Sequence, residues 1–274
     1  MKFLVQQQPA YVATSTADGD IGFDAAKPTV VLIHGAANDH SVWASLLAKS
    51  GDKPDLSGAN MLAIDLPGHG QTFAGPKSSI EAYADWLVDF LDNGSIQAAT
   101  LIGHSMGSLI ALDVARRYPD RVKRLGLIGA AVPMPVSDAL LQMAYTSPGA
   151  ACEQVTRWSF YLRKNADGSF PPATPVMRSY CALLAAGRPG VMANDLAACA
   201  RYQLDETAIA AITTPTVILA SEHDKMTPAE AATSLCARLP NASLTMLSGV
   251  GHAMMQQAPV EVADWITTLI EAGG

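Results

Sequence analysis

The chain has 274 residues, 49% of them hydrophobic and 16% charged, and 18 basic against 25 acidic residues give a formal net charge of −7. That balance excludes a disordered or low-complexity chain, which has sparse apolar residues and many uncompensated charges. It also argues against a nucleic-acid partner: an acidic chain repels phosphate backbones, and the basic doublets Arg116-Arg117 and Arg163-Lys164 stand isolated.

No run reaches the roughly 18 uncharged apolar residues of a membrane span, so no membrane partner is expected. The opening Met1-Lys2-Phe3-Leu4-Val5 meets Gln6-Gln7-Gln8-Pro9 too early for a signal-peptide core. The four cysteines, Cys152, Cys181, Cys199 and Cys236, are widely separated, with neither a zinc spacing nor a redox pair. Reduced thiols in a cytoplasmic protein are the expectation.

In chain order, residues 10–23, broken at Asp18-Gly19-Asp20, read as an antiparallel hairpin on a sheet edge. Apolar, β-rich runs follow at 29–33 and 60–64. Ser78 with Glu81 forms a capping box ahead of a helical stripe of Tyr83, Trp86, Leu87, Phe90 and Leu91. Runs at 99–102 and 125–128 flank a helix that Pro119 stops. Further runs lie at 216–219 and 243–247, with a second capping box (Thr227 with Glu230, Pro228 at the first helical position) between them. A last helix carries Val262, Trp265, Ile266, Leu269 and Ile270 on one stripe. Apolar strands without alternation are covered on both faces, and strand–helix alternation predicts an α/β protein with a mostly parallel sheet and helices on both sides.

Residues 132–207 break that alternation. They show no β-rich run, two Pro-rich joints and seven aromatics: Tyr145, Trp158, Phe160, Tyr161, Phe170, Tyr180 and Tyr202. They read as a helical cap inserted between two strands, with 1–131 and 208–274 forming the two parts of one core.

The strongest chemical signal is Gly103-His104-Ser105-Met106-Gly107, with a strand entering and a helix leaving. The pattern alone is weak; a strand–turn–helix around it makes a nucleophile elbow, whose tight turn tolerates little bulk two residues either side of the serine. It lifts the Ser105 hydroxyl off the sheet and places the Met106 N–H at a helix N-terminus, facing an incoming anion. The bland alternative is an ordinary glycine-rich turn.

A serine hydroxyl needs a base. His252, in the loop Ser248-Gly249-Val250-Gly251-His252 after the last strand, lies on the rim that Ser105 occupies. His34, His69 and His104 are expected to make structural hydrogen bonds, His40 and His223 to sit in loops, and the scatter of all six histidines offers no metal site. Asp224, after the run 216–219, is the expected carboxylate, with Glu222 as its rival. The oxyanion donors are expected to be the N–H groups of Met106 and, from His34-Gly35-Ala36-Ala37, of Ala36. Trp158, Phe160 and Tyr161 line an apolar pocket or pack within the insertion.

These residues, with Asp65-Leu66-Pro67-Gly68-His69-Gly70 and Asp224 with Pro228, resemble the α/β-hydrolase superfamily over nearly the whole chain. The resemblance implies an eight-stranded sheet with one antiparallel strand, a lid at the insertion, no cofactor, and roles for Ser105, Asp224 and His252 as nucleophile, acid and base. Serine in place of aspartate at the elbow speaks against the epoxide hydrolase and haloalkane dehalogenase branches. Ala253 stands where carbon–carbon hydrolases of meta-cleavage pathways have Trp, and His34-Gly35-Ala36-Ala37 lacks a triple glycine. The expectation is a carboxylesterase-like enzyme acting on a small-molecule ester through an acyl-enzyme. Carbon–carbon bond, lactone, thioester or perhydrolase chemistry on the same triad remains open, as does a ligand-binding receptor with residual hydrolysis.

Overall fold

A computed structural model describes residues 3–14, 23–48 and 56–271. Its main sheet runs in the order β3-β5-β4-β6-β7-β8-β9, formed by β3 (Val12–Ala13), β4 (Thr29–Ile33), β5 (Asn60–Ile64), β6 (Ala99–His104), β7 (Val122–Ile128), β8 (Thr216–Ser221) and β9 (Ala242–Leu247). Every pairing is parallel except β3 with β5.

The sheet has seven strands among the described residues, against the eight implied by the resemblance. The first hairpin is a separate two-stranded ladder of β1 (Phe3–Val5) and β2 (Gln8–Ala10), turned through Gln6 and Gln7 at φ 51° and 64°. Phe3 stacks on Phe90 with ring centroids 4.4 Å apart, so this ladder packs on a helix instead of extending the sheet. The hairpin expected over 10–23 has its turn outside the described residues; within that stretch Ala10 ends β2 and Val12–Ala13 form β3.

The helices are α1 (Ala44–Leu47), α2 (Ile80–Asn93), α3 (Met106–Arg117), α4 (Asp138–Thr146), α5 (Pro148–Ser159), α6 (Pro175–Ala186), α7 (Val191–Arg201), α8 (Glu206–Ala210), α9 (Ala229–Arg238), α10 (Met254–Gln257) and α11 (Pro259–Glu271). The pleat sends alternate side chains of β4 to opposite faces. Val31 and Ile33 join the core under α2, α3 and α9, while Val30 and Leu32 join the one under α1 and α11. β4, β5 and β6 are buried throughout, as apolar strands without alternation require. β9, at the edge, has only half-buried and exposed residues.

Both expected capping boxes are displaced. Ser79, in extended backbone, caps α2 by accepting the Ala82 N–H at 3.2 Å, one residue later than Ser78. Pro228, not Thr227, precedes α9, because the Thr227 hydroxyl is turned inward to Asp224. Between β7 and β8 lie α4, α5, α6, α7 and the short α8. No helix among the described residues is long and apolar enough to cross a membrane.

Trp86 is fully buried on α2 and stacks toward Phe90 with centroids 5.9 Å apart. Trp86→Ala removes that packing and is expected to cost about 3–5 kcal/mol, read as a lowered urea midpoint with an unchanged slope.

Candidate active site

β6 ends against α3 with no room between them. A Cβ on Gly103 would strike the Gly107 carbonyl, and one on Gly107 would strike the Ile33 carbonyl at the end of β4. The turn joining them holds Ser105 at φ 54°, ψ −118°, a left-handed conformation that a side chain rarely adopts. Such strain persists only where the surroundings over-determine it. Here the Ser105 N–H donates to the Ile128 carbonyl at 2.9 Å, while its own carbonyl accepts from Ser108 N (2.8 Å) and Oγ (2.6 Å).

Residues from four loops at the C-terminal ends of strands meet this turn. The loop after β4 brings Gly35 so close that a Cβ there would lie 3.1 Å from the Ser105 Cβ. Next to it, Ala36 borders a cavity of about 230 Å³ that also touches Ser105, His104, Trp158 and His252. Among the described residues no hydrogen bond joins the Ser105 hydroxyl to the His252 ring; the shared cavity brings them together. Met106 is the first residue of α3, directly after Ser105.

His252 is buried, and its Nδ1 lies 2.7 Å from Asp224 Oδ2. Asp224 is held by four donors: the N–H groups of Met226 and Thr227 on Oδ1, each at 2.8 Å, and the Thr227 hydroxyl at 2.8 Å and the ring on Oδ2. Burial raises its pKa, but the adjacent His252 and the Thr227 donors outweigh that and hold the carboxyl below its ordinary range. Nδ1 therefore carries the proton toward Asp224, which leaves Nε2 as the basic nitrogen. Glu222, the rival carboxylate, is exposed.

The other histidines sort by their partners. His34 accepts the Leu66 N–H on Nε2 (3.1 Å) and donates from Nδ1 to the Gly35 carbonyl (2.8 Å), a neutral ring. Burial, then the charge of His69, lowers its pKa to about 4. His104 donates from Nε2 to the His252 carbonyl (3.0 Å), and burial followed by His252 lowers its pKa to about 3. His69 differs: Nδ1 faces the Pro67 carbonyl (3.0 Å) and Nε2 faces Asp195 (2.7 Å), so both nitrogens meet acceptors and the ring is an imidazolium. His40 binds Asp65 through Nδ1 (2.8 Å), and His223 stacks on Tyr161 with centroids 3.8 Å apart.

Of the aromatics expected in a pocket, Trp158 borders the cavity beside Ser105. Phe160 and Tyr161 line a second, open groove that reaches Asp224 and Lys225 from the other side. Asp39, His40 and Asp65 bring one ligand atom each within 4.8 Å of one another. The Asp65 carboxylate there already accepts from His40 N, His40 Nδ1 and Gln71 N, each at 2.8 Å.

Sequence reading missed two supporting residues. Thr227 has the spacing of a helix cap, and Gly129 carries no side chain to signal a role. Gly129 sits at φ 58°, and a Cβ there would lie 2.9 Å from His252 Cε1 and 3.0 Å from Nδ1.

Gly129→Ala is expected to displace the imidazole and strain the backbone, lowering kcat by about tenfold or more for whatever reaction the site performs, with about 1–3 kcal/mol of stability lost. For His34 and His104 the folded pKa lies below the unfolded value of about 6.5. Their neutral forms therefore contribute stability that is complete above pH 6.5 and lost as pH falls toward about 4 and about 3. Urea unfolding across this range is expected to show stability declining steadily below about pH 6.5.

The model of the alpha/beta hydrolase family matches residues 30–265. A pimeloyl-[acyl-carrier protein] methyl ester esterase of Aromatoleum aromaticum is 31% identical over 263 residues, 89% of this chain and 98% of that protein. A 2-hydroxy-6-oxononadienedioate/2-hydroxy-6-oxononatrienedioate hydrolase of Paraburkholderia phymatum is 35% identical over 45% of this chain and 46% of its own length. Among solved structures, an esterase from Exiguobacterium antarcticum superposes with a TM-score of 0.80 at 18% identity, covering 98% of both chains. With an elbow serine, an Asp–His pair and a family model spanning most of its length, the chain belongs to the alpha/beta hydrolase family and is a hydrolase.

Proposed function

We propose that the protein is a serine hydrolase cleaving carboxylic esters of small or medium, largely apolar molecules through an acyl-enzyme. The observation that carries this reading is the opening of Ser105 and the Asp224-oriented imidazole of His252 onto one cavity. In this mechanism His252 Nε2 takes the hydroxyl proton as Ser105 Oγ attacks the ester carbonyl, and the negative oxygen is received by the N–H groups of Ala36 and Met106. The imidazolium then protonates the leaving alkoxide. A water molecule, deprotonated by the same nitrogen, attacks the acyl-enzyme and releases the acid.

The cavity supports the substrate class. Met134, Val136, Leu140, Met192 and Leu196 border it, and Lys225 is its one cationic lining residue among the described residues. Its volume of about 230 Å³ lies under the roughly 300–1,000 Å³ of sites for drug-sized ligands, in keeping with a short acyl or alcohol group. All five of these apolar residues lie between β7 and β8, which supports residues 132–207 as a cap on the core 1–131 and 208–274. Trp158 is assigned to the substrate pocket, and Phe160 and Tyr161 to the separate groove on the far side of Asp224. The Aromatoleum relative is named as an ester hydrolase, in line with this reading. Four free cysteines support a cytoplasmic location.

Ser105→Ala is expected to lower turnover of short p-nitrophenyl esters by at least about a thousandfold while circular dichroism and melting stay near those of the parent. Unchanged turnover refutes the nucleophile. A panel adding lactones, thioesters and vinylogous diketones identifies the bond: faster Ser105-dependent cleavage of any of these than of the esters replaces the ester assignment.

A further inference from the structure

We propose that Asp195, presented by α7, is a positioning residue for the loop that carries the Ala36 N–H; the inference rests on the hydrolase reading above. Asp195 is completely buried. A carboxylate in the interior costs several kcal/mol unless charge and hydrogen bonds compensate it. Its Oδ2 accepts the Ala37 N–H at 2.9 Å and faces His69 Nε2 at 2.7 Å, and its Oδ1 accepts the Tyr83 hydroxyl at 2.9 Å and Asn194 Nδ2 at 3.3 Å. One side chain from the segment between β7 and β8 thus ties together the loops after β4 and β5 and helix α2.

The bond to Ala37 falls where the loop most needs it. Ala37 has φ 57°, in the left-handed region, and a residue with a Cβ pays roughly 1–2 kcal/mol to stay there. The Ala36–Ala37 peptide is held at both ends, its carbonyl by Asn38 Nδ2 at 3.0 Å and its N–H by Asp195. The preceding peptide is fixed through the Gly35 carbonyl, which accepts from His34 Nδ1 at 2.8 Å and from Asn38 N at 3.2 Å. A trans peptide points its N–H opposite its carbonyl, so this bonding turns the Ala36 N–H away from His34 and Asn38 N. Asp195 closes the set by preventing the strained Ala37 from relaxing.

The test compares Asp195→Ala, Asp195→Asn and Tyr83→Phe, with kinetics normalised to folded protein. Asp195→Ala is expected to lower kcat about tenfold to a hundredfold with KM within about threefold, as loss of a transition-state interaction requires. Asp195→Asn keeps an acceptor for the Ala37 N–H and is expected to lie between it and the parent. Tyr83→Phe removes a bond to Asp195 without touching the loop and is expected to lower Tm while kcat stays within about twofold. Adding Ala37→Gly to Asp195→Ala is expected to restore part of kcat, because glycine adopts the left-handed conformation freely. Should Asp195→Ala not fold, Asp195→Asn carries the comparison. A normalised kcat within twofold of the parent in the folded Asp195 variant overturns the proposal, and so does an equal kcat loss in Tyr83→Phe. Amide hydrogen exchange across residues 35–38, expected to quicken in the Asp195 variants, reads the clamp without any chemistry. If the parent shows no Ser105-dependent turnover of any substrate in the panel, the serine-hydrolase reading fails and exchange alone decides the clamp, unchanged exchange overturning it.

Discussion

The site depends on one packing constraint: β6 and the helix that follows it pass so close to β4 that two positions must be glycine. A methyl group at Gly103 would meet the carbonyl of Gly107, and one at Gly107 would meet that of Ile33. The chain can leave the strand and enter α3 in that space only by passing Ser105 through a left-handed conformation. Because β4, β6 and β7 are adjacent in the sheet, their following loops share one rim. Gly35 and Gly129 then lie against the Ser105 and His252 side chains for the same reason that Gly103 and Gly107 face backbone. Glycine occupies the contact points, and the Ser105 and His252 side chains occupy the space it leaves.

Four buried imidazoles lie around this rim, and their partners give them different states. A ring with one donor and one acceptor partner, as at His34, is neutral; one with two acceptors, as at His69, is charged. Burial opposes the charge at His69, yet the Asp195 carboxylate and its hydrogen bond raise the ring's pKa. Burial likewise opposes the Asp195 charge, and His69 with the Ala37 and Tyr83 donors holds that carboxyl low. The Asp224–His252 pair follows a related pattern at the cavity wall, with one difference: its second ring nitrogen is not committed to a backbone carbonyl. The His69–Asp195 and His252–Asp224 pairs are therefore distinguished by what the far side of each ring meets.

Much of this was legible in the sequence because the governing signals are local. Strands covered on both faces read as apolar runs, and the elbow reads as glycines around a serine between a strand and a helix. Signals that depend on a competing partner were not legible. Thr227 has the spacing of a cap, yet its hydroxyl finds a better acceptor in Asp224. Ser78 and Ser79 are equivalent on paper, and the one in extended backbone next to the first helical residue takes the cap. The ladder of β1 and β2 was not legible because Gln6 and Gln7 are weak turn residues, and Phe3 packing on Phe90 decides where it sits. Asp195 did leave a trace: a lone carboxylate among the buried Val191, Met192, Ala193, Leu196, Ala198 and Cys199 of one helix. A charge on an apolar face calls for a partner that one-dimensional spacing does not identify.

The segment between β7 and β8 is bound to both halves of the site in the same way. On one side Asp195 holds the loop after β4. On the other, the Ser159 carbonyl accepts the Ala253 N–H at 2.8 Å, and Gln257 Oε1 accepts from Gly251 N at 2.8 Å and Tyr161 N at 3.1 Å while its Nε2 donates to the Tyr161 carbonyl at 2.9 Å. Gly251 permits that approach, since a Cβ there would lie 2.7 Å from the Ser159 carbonyl oxygen. Apolar contact is non-directional: it fixes how far apart two elements lie and leaves their relative orientation loose. Hydrogen bonds to backbone N–H groups fix orientation as well. The helices over the cavity are thus registered against the loop bearing His252 and the loop bearing Ala36 by directional bonds, so the shape of the cavity and the aim of its polar groups are set together.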